Sequence, residues 1–299
     1  MNALARPSKV AICYYRNVGG AQALADLLAE QATAAGIFCW VDVLPDPTDV
    51  PASEAFLERL RPADLLVSVG GDGTVLHASE FAAQTGTAVF GVRMGRLGFL
   101  TETVEADALE AFEAVLRGGA RLERHSMVQA SVGGGEPMHA LNDIVIGRAI
   151  LGRTISVGAH IDGVLIAEYR ADAVLVSTAT GSTGYSLAVG GPILDPAASE
   201  MILVAVAPHL TRANPIVLPV DTRLRLFVER GYEAIITFDG LHQSPVESGT
   251  VVEVTRSPRS VDFVRLGGPE QFYSNVARRL GWLRQDHALH ERTEGPATP

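Results

Sequence analysis

The sequence predicts an α/β domain built on a parallel sheet, then a mostly antiparallel β domain, then a final helix. Strand and helix patterns alternate over residues 1–120, and strands separated by helical segments form parallel sheets with helices on their faces. Short alternating runs without helices fill residues 121–266. A helical pattern reappears in the segment 267–299, and we expect it to return to the first domain.

Four strands and four helices account for the first domain. The strand patterns cover residues 9–15, 37–44, 65–69 and 87–92, and the helix patterns cover 21–35, 53–60, 75–83 and 107–116. Ser53 is the predicted N-cap of the second helix, because a serine hydroxyl accepts a hydrogen bond from a free N–H of the first turn. Gly36 closes the first helix, as glycine commonly does.

Two hairpins open the second domain. The runs MVQASV and ALNDIVI flank GGGEP, whereas TISVGAHI and VLIAEYR flank Asp162-Gly163, a dipeptide strongly favoured in two-residue hairpin turns. RLRLFVE, AIITFDG and TVVEVTR continue the alternating pattern. We therefore expect antiparallel pairing throughout this region.

The composition argues against several classes of protein. The 299 residues carry a net charge of −10 and offer no basic face for duplex phosphates, so no nucleic-acid partner is expected. Strongly apolar runs such as 201–207 are much shorter than the roughly 20 residues that cross a bilayer, so no membrane association is expected. Cys13 and Cys39 lie in strand patterns, where free thiols pack as small hydrophobes. A cytoplasmic protein without a disulfide scaffold is therefore predicted.

Lysine is almost absent. Of the 24 basic residues only Lys9 is a lysine, and it comes at the start of the first strand pattern. P-loop and protein-kinase sites both need a lysine beside the phosphates, so neither mechanism is available. The charge of a bound phosphate has to be met by backbone N–H groups, arginines and a metal ion.

A glycine-rich turn separates the third strand pattern from the third helix pattern. Gly70, Gly71, Asp72, Gly73 and Thr74 form this turn. Such a loop, leading from a strand into a helix N-terminus, lets free N–H groups approach an anion. An ordinary tight turn is the alternative, but three glycines around one aspartate exceed what a turn requires. The sequence favours a phosphate site.

Asp72 is the candidate catalytic residue. Its negative charge opposes phosphate binding, so the carboxylate should have another task. It could hold a metal ion that bridges phosphates, or accept the proton of an attacking hydroxyl. Both tasks belong to phosphoryl transfer.

These segments resemble a known family. GGDGT (70–74) is similar to the signature that NAD kinases share with diacylglycerol and sphingosine kinases. The further segments resemble NAD kinases specifically: LGFLTE (97–102), LNDIVI (141–146), ATGSTGYSLAVGGPIL (179–194), APHLTRANPIVLP (207–219), FDG (238–240) and LGWL (280–283). The resemblance covers nearly the whole chain in order, and it implies phosphorylation of the 2′-hydroxyl of the adenosine ribose of NAD by ATP or another phosphoryl donor, which gives NADP.

The resemblance also implies roles for individual residues. Asp72 matches the aspartate that activates the 2′-hydroxyl. The donor phosphates would be bound by Gly70, Gly71, Gly73, Thr74 and Arg96. The residues implied to surround NAD are Asp72, Gly73, Phe99, Asn142, Asp143, Arg170, Asp172, Thr183, Gly184 and Tyr185. Arg93 and Arg96 follow a predicted strand end, where they could meet donor phosphates or be plain surface charge.

The family's fold, cofactor and assembly follow as expectations. The resemblance implies a Rossmann-like N-terminal domain and a β-sandwich C-terminal domain, with Mg²⁺ held through substrate phosphates and not by a protein cluster. It also implies a homodimer or homotetramer. A lipid kinase and a non-catalytic NAD-binding regulator remain as alternatives. The sequence departs from the usual family pattern, which has Gly-Ile-Asn before LGFL, at Arg93, Ala173, Ala179, Gly184 and Asn214.

Overall fold

A computed structural model describes residues 3–95, 98–150, 152–209, 213–229 and 233–282. The chain forms two compact units, Met1–Leu266 and Gly267–Pro299. The first unit contains both regions that the sequence separates near residue 120. A domain boundary at that point stays a prediction.

The first part of this unit alternates strands and helices, as expected. In chain order the elements are β1 (Lys9–Tyr14), α1 (Ala21–Ala34), β2 (Phe38–Val43), α2 (Val50–Leu60), β3 (Leu65–Gly70), α3 (Asp72–Thr85), β4 (Ala88–Arg93), β5 (Thr103–Val104) and α4 (Ala108–Leu116). The strands pair in parallel in the order β2-β1-β3-β4-β5. Buried apolar clusters cover both faces of this sheet, as a parallel sheet requires.

Two helix starts differ from the sequence prediction. Asp49, not Ser53, caps α2, because its carboxylate accepts a hydrogen bond from the N–H of Ala52 at 3.1 Å. Pro51 lies in the first turn, where its fixed φ suits a helix. The glycine turn is also shorter than predicted, since α3 already begins at Asp72.

The second part of the unit is rich in strands. Its elements in chain order are β6 (Arg121–Val132), β7 (Met138–Ala140), β8 (Asp143–Arg148), β9 (Ile155–Ile161), β10 (Val164–Ala171), β11 (Ala173–Ser177), a short α5 (Tyr185–Ala188), β12 (Met201–Val206), β13 (Ile216–Leu218), β14 (Leu224–Val228), β15 (Ala234–Phe238), β16 (His242–Val246) and β17 (Val251–Arg265). A six-stranded sheet, β13-β12-β11-β8-β15-β16, is wholly antiparallel.

The remaining strands extend the parallel sheet. The large sheet follows the order β10-β9-β14-β17-β4-β3-β1-β2, with β6 and β7 attached at β17. The long β17 makes this continuity possible, because Phe263 near its end pairs with Val89 of β4 in parallel. An apolar cluster fills the space between the antiparallel half of this sheet and the six-stranded sheet. The result is a two-layer β structure joined to an α/β layer, which confirms the expected fold class.

The two predicted hairpins have different outcomes. The Asp162-Gly163 hairpin between β9 and β10 is confirmed, with both turn residues at positive φ (48° and 89°). The first hairpin pairs β6 with β7, but the predicted strand ALNDIVI is divided. Leu141 and Asn142 carry the chain from the large sheet to β8 of the six-stranded sheet. This crossing places Asn142 in a loop and not in a strand.

The second unit contains helix α6 (Glu270–Arg279). The predicted helix at 271–283 is therefore confirmed over most of its length, whereas its last residue and the tail 284–299 lie outside the described residues. Its return to the first domain stays a prediction. No helix in the described ranges is long and apolar enough to cross a membrane.

Candidate active site

Asp72 lies where β3 gives way to α3. Its carboxylate is 31% exposed, and its Oδ2 accepts a hydrogen bond of 2.9 Å from the backbone N–H of Phe99. The guanidinium Nη1 of Arg93 lies 3.6 Å from Oδ1. A Cβ on Gly98 would come within 1.6 Å of Oδ1, so glycine at this position lets the 98–100 loop lie against the carboxylate without displacing it. The carboxylate is thus positioned at a helix N-terminus and remains partly open to solvent.

Gly70 and Gly71 allow close contacts at the turn, whereas a Cβ on Gly73 would meet nothing within 4 Å. A Cβ on Gly70 would come within 2.4 Å of the Thr74 hydroxyl, which accepts a hydrogen bond from the N–H of Gly71. Thr74 therefore shapes the loop with its side chain. The N–H groups of the first helical turn, at Asp72, Gly73 and Thr74, have no helical acceptor, as at the start of any α-helix. Together with the helix dipole, N–H groups at such a position favour a negatively charged ligand. The phosphate site expected at this turn stays a prediction.

The Asn142 loop is held by one buried carboxylate. Asp239 accepts hydrogen bonds from the N–H groups of Leu141, Asn142 and Asp143, at 2.7, 2.7 and 3.0 Å. Asp239 has a positive φ of 54°, and its own N–H donates to the carbonyl of Asp143. The FDG turn therefore fixes the backbone on which Asn142 is presented. Sequence reasoning quoted this motif but assigned Asp239 no role.

The glycine-rich segment after β11 packs on the same loop. A Cβ on Gly181 would come within 2.0 Å of the carbonyl oxygen of Asn142, and the N–H of Thr178 donates to that oxygen at 2.9 Å. A Cβ on Gly184 would lie 3.9 Å from Asn142 Nδ2. The structure thus brings Asn142 and Gly184 together, and Tyr185 follows directly in the chain with 44% of its surface exposed. Thr183 belongs to the same segment.

The Asn142 side chain carries an unused acceptor. Its Oδ1 is buried and has no hydrogen-bond partner among the described residues. Buried polar atoms are almost always paired, so this atom suits a hydrogen-bond donor of a ligand.

The two carboxyl groups beside Asn142, those of Asp143 and Asp239, have raised pKa values. Burial, and then the negative charge of Asp239, raises the pKa of Asp143 to about 7. Burial raises the pKa of Asp239 to about 6, although the three backbone N–H groups that it accepts act in the opposite direction. Because those N–H groups favour the ionised form, we assign the charge to Asp239 and the proton to Asp143 near neutrality.

A buried hydrogen-bond chain connects the two loops. Arg265 donates to the Leu100 carbonyl at 3.4 Å and to Glu123 at 3.0 Å. Glu123 lies 3.1 Å from His125 Nε2, and His125 Nδ1 lies 2.9 Å from the Thr180 hydroxyl. Burial lowers the pKa of His125, which is therefore neutral and can donate through one nitrogen while accepting through the other. This chain ties the loop at Asp72 to the segment at Asn142.

A second connection runs from α3 to the FDG turn. His242, at the start of β16, lies 2.9 Å from a carboxylate oxygen of Glu80 on α3. The hydrogen bond to Glu80 raises the pKa of His242. The helix that starts at Asp72 is thereby linked to the turn that holds Asn142.

Two predicted NAD-binding residues lie elsewhere. Asp172 precedes β11, and Asn142 lies beside the opposite end of that strand. The five residues of β11 separate the two positions by about 17 Å. Asp172 pairs with Arg148 at 2.9 Å, and Arg170 lines a separate cavity of about 440 Å³. The structure does not bring Arg170 and Asp172 to the Asn142 loop within the chain, so their role stays a prediction. Arg96 lies outside the described residues.

One departure from the family pattern has a simple packing account. Ala173, on β11, lies opposite Gly147 of β8, and a Cβ built on Gly147 would lie 3.7 Å from the Ala173 Cβ. This is ordinary van der Waals contact, so the strand pair accommodates the alanine without strain.

The sequence of the chain is similar to those of known NAD kinases. The family model described as the ATP-NAD kinase N-terminal domain matches residues 41–120, and that of the ATP-NAD kinase C-terminal domain matches residues 141–266. The NAD kinase of Dehalococcoides mccartyi (strain BAV1) is 31% identical over 277 residues, which are 91% of this chain and 95% of that protein. The NAD kinase of Heliobacterium modesticaldum is 39% identical over 215 residues, which are 70% and 76% of the two chains.

Solved structures share the fold. Yeast NADH kinase in complex with NADH superposes with a TM-score of 0.79 at 20% identity, covering 95% of this chain and 91% of the other. An NAD kinase from Archaeoglobus fulgidus in complex with ATP gives 0.72 at 23% identity, covering 89% and 96%. With two family models and relatives of near-equal length in agreement, the chain belongs to the NAD kinase family.

Proposed function

We propose that Asp72 is the catalytic base of this NAD kinase and removes the proton of the adenosine 2′-hydroxyl as the phosphoryl group arrives. The observation that carries the proposal is the position of its carboxylate, held by the Phe99 N–H at 2.9 Å at the N-terminal end of α3. A base next to an anion site is what transfer of a phosphoryl group to an alcohol requires.

The Asn142 loop is the proposed adenosine site. The buried Oδ1 of Asn142 can accept a hydrogen bond from the adenine amino group, and the adjacent Asp143 can bind a ribose hydroxyl. Phe99, Thr183, Gly184 and Tyr185 complete the dinucleotide site in this proposal. Arg170 and Asp172 are retained as candidate contacts for the remainder of the dinucleotide.

The donor phosphates are proposed to lie on the turn formed by Gly70, Gly71, Gly73 and Thr74, with Arg96 nearby. A Mg²⁺ ion is proposed to arrive with the nucleotide, bound through the donor phosphates as part of the substrate. An archaeal relative was solved with ATP, which supports ATP as the donor.

The proposed reaction is a single in-line transfer. The bond between the γ-phosphorus and the β,γ-bridging oxygen breaks, and a bond from the ribose 2′-oxygen to that phosphorus forms. The 2′-proton passes to Asp72, while ADP leaves with the negative charge. Catalysis then depends mainly on positioning and on charge stabilisation.

Assembly and location follow the family resemblance. We propose a homodimer or homotetramer that works in the cytoplasm. Light scattering of the purified chain measures the assembly directly, and a monomer at micromolar concentration would contradict that part.

The experiment for the proposed function is a coupled assay. The protein is mixed with Mg²⁺, ATP and either NAD, NADH or 2′-deoxy-NAD, where the deoxy sugar is that of the adenosine. The phosphorylated product of NAD is detected with an NADP-specific dehydrogenase, and ADP formation is followed for all three acceptors. We expect product from NAD or NADH and none from the 2′-deoxy compound. Acceptor-dependent ADP release with the deoxy compound would refute transfer to the 2′-oxygen.

A further inference from the structure

Arg93 occupies an unusual position beside the glycine turn. It is the last residue of β4 and lies opposite Gly70, the last residue of β3. Its Nη1 is 3.6 Å from Asp72 Oδ1, and a Cβ on Gly71 would come within 3.0 Å of the same nitrogen. The guanidinium group therefore lies against the turn itself, and the absence of a side chain at residue 71 leaves room for it.

The guanidinium group still has donors to offer. Its separation from Asp72 exceeds the 2.7–3.2 Å of a normal N–H···O hydrogen bond, so the two groups form only a loose ion pair. The Nε atom of Arg93 is buried and has no hydrogen-bond partner among the described residues. The side chain is 28% exposed, so part of it reaches the solvent side of the turn.

The charges at the turn create a need that Arg93 can meet. Asp72 is negative, and a nucleoside triphosphate brings further negative charge to the same place. The single lysine, Lys9, is the first residue of β1. It therefore lies at the amino ends of the parallel strands, about 20 Å from their carboxyl ends. Of the basic side chains that the structure describes, Arg93 is the one within 4 Å of Asp72.

We propose that Arg93 is a catalytic residue that binds the transferred phosphoryl group and stabilises its charge during transfer. The inference rests on the proposed function and adds a contact to it. In the free enzyme the guanidinium group neutralises Asp72, and with donor bound it turns a pair of N–H groups to the γ-phosphate oxygens. A planar guanidinium is well suited to bridge a carboxylate and a phosphate. It stays protonated throughout, so the proton of the 2′-hydroxyl still goes to Asp72.

This contact is a property of this chain. The related pattern usually has asparagine at the position of Arg93, and an uncharged amide supplies no positive charge to the turn. An Arg93→Asn variant therefore introduces the residue of the usual pattern and removes the positive charge from the turn.

The test compares Arg93→Ala, Arg93→Lys and Arg93→Asn with the wild type, using Arg61→Ala as the matched control. Arg61 forms an exposed pair with Glu58 on α2 and is remote from the proposed chemistry. We expect Arg93→Ala to lower kcat/KM for ATP roughly 10²-fold while KM for NAD changes less than about threefold. Arg93→Lys should retain part of the activity, because it keeps the charge but loses the fork of donors. Millimolar guanidinium should restore part of the Arg93→Ala rate and leave the Arg61→Ala rate unchanged.

A second readout is independent of turnover. Calorimetric binding of the non-hydrolysable Mg²⁺ complex of adenylyl imidodiphosphate should weaken about tenfold in Arg93→Ala and not in Arg61→Ala. Equal losses for ATP and NAD, or no guanidinium rescue, would assign Arg93 a structural role and overturn the proposal. Unchanged kinetics in Arg93→Ala would also overturn it. A wild-type protein that binds the analogue through Arg93 but makes no NADP would instead refute the proposed function.

Discussion

The loop that carries Asp72 and the loop that carries Asn142 are built in opposite ways. Asn142 lies on a backbone held by three hydrogen bonds from N–H groups to the buried Asp239, and Gly181 packs against its carbonyl. Asp72 stands at the open start of a helix, 31% exposed, beside a guanidinium at 3.6 Å. The Asn142 loop holds its shape through buried backbone contacts. The Asp72 loop places charged side chains where they can change partners.

The difference agrees with the roles proposed for the two loops, adenosine binding at Asn142 and phosphoryl transfer at Asp72. A loop that reads a base must keep its donors and acceptors fixed, because a misplaced amide leaves polar atoms unpaired. A site for phosphoryl transfer must let charges reorganise as one bond breaks and another forms. Changes at the Asn142 loop should therefore alter stability and NAD binding, whereas changes at Asp72 should alter turnover.

The largest expected effect comes from Asp72→Asn. The amide keeps the size of the side chain but cannot take the proton, so kcat should fall about 10²- to 10⁴-fold. The coupled NADP assay measures the loss, and circular dichroism and the melting temperature should match those of the wild type. Asp26→Asn, an exposed change on α1, is the control. Near-normal turnover in Asp72→Asn would remove Asp72 from its role as base.

Two glycine substitutions test the comparison directly. In Gly98→Ala the new Cβ meets the flexible Asp72 carboxylate, so kcat should fall at least tenfold with little change in stability. In Gly181→Ala the new Cβ meets the backbone oxygen of Asn142, which cannot rotate away as a side chain can. The free energy of unfolding should therefore fall by about 1–3 kcal/mol. Urea titrations and steady-state kinetics on both variants separate the effects. Similar changes in kcat and in the free energy of unfolding for the two variants would contradict the contrast between the loops.

Asp239→Asn should weaken the Asn142 loop with little direct effect on the donor site. Asparagine tolerates the positive φ of 54°, but its amide NH₂ replaces one of the two oxygens and so faces either one or two of the backbone N–H groups that now donate to the carboxylate. We expect a loss of about 1–3 kcal/mol in the free energy of unfolding, with KM for NAD raised more than KM for ATP. An equal rise in both constants would show that the turn does not act on the dinucleotide alone.

The last expected effect concerns the pH dependence of stability. The folded pKa of Asp143, raised to about 7, lies above its unfolded value, so the folded state binds the proton more tightly. The stability this group contributes is complete below about pH 4 and is lost as the pH rises through about 7. Urea unfolding from pH 4 to 8 should therefore show a larger decline in the wild type than in Asp143→Asn. Parallel curves for the two proteins would contradict the raised pKa.

Sequence periodicity was sufficient for the fold class. Alternating strands and helices implied the parallel sheet, and Asp162-Gly163 located a hairpin that the structure contains. Both signals are local, because period and turn chemistry are properties of neighbouring residues. Local signals were less reliable at boundaries. Asp49 caps α2 where Ser53 was expected, since a nearby proline favours the earlier start.

The sequence by itself determined the fold class, the glycine turn at the end of a strand and, through its motifs, the family. Only the tertiary structure decided that Asp239 holds the Asn142 loop, that Gly98 faces Asp72 and that Arg93 lies beside the turn. It also separated Asp172 from Asn142 by the length of β11. The physical reason is that these contacts join residues far apart in the chain, and hydrogen bonds and charges at such separations leave no periodic trace in the sequence.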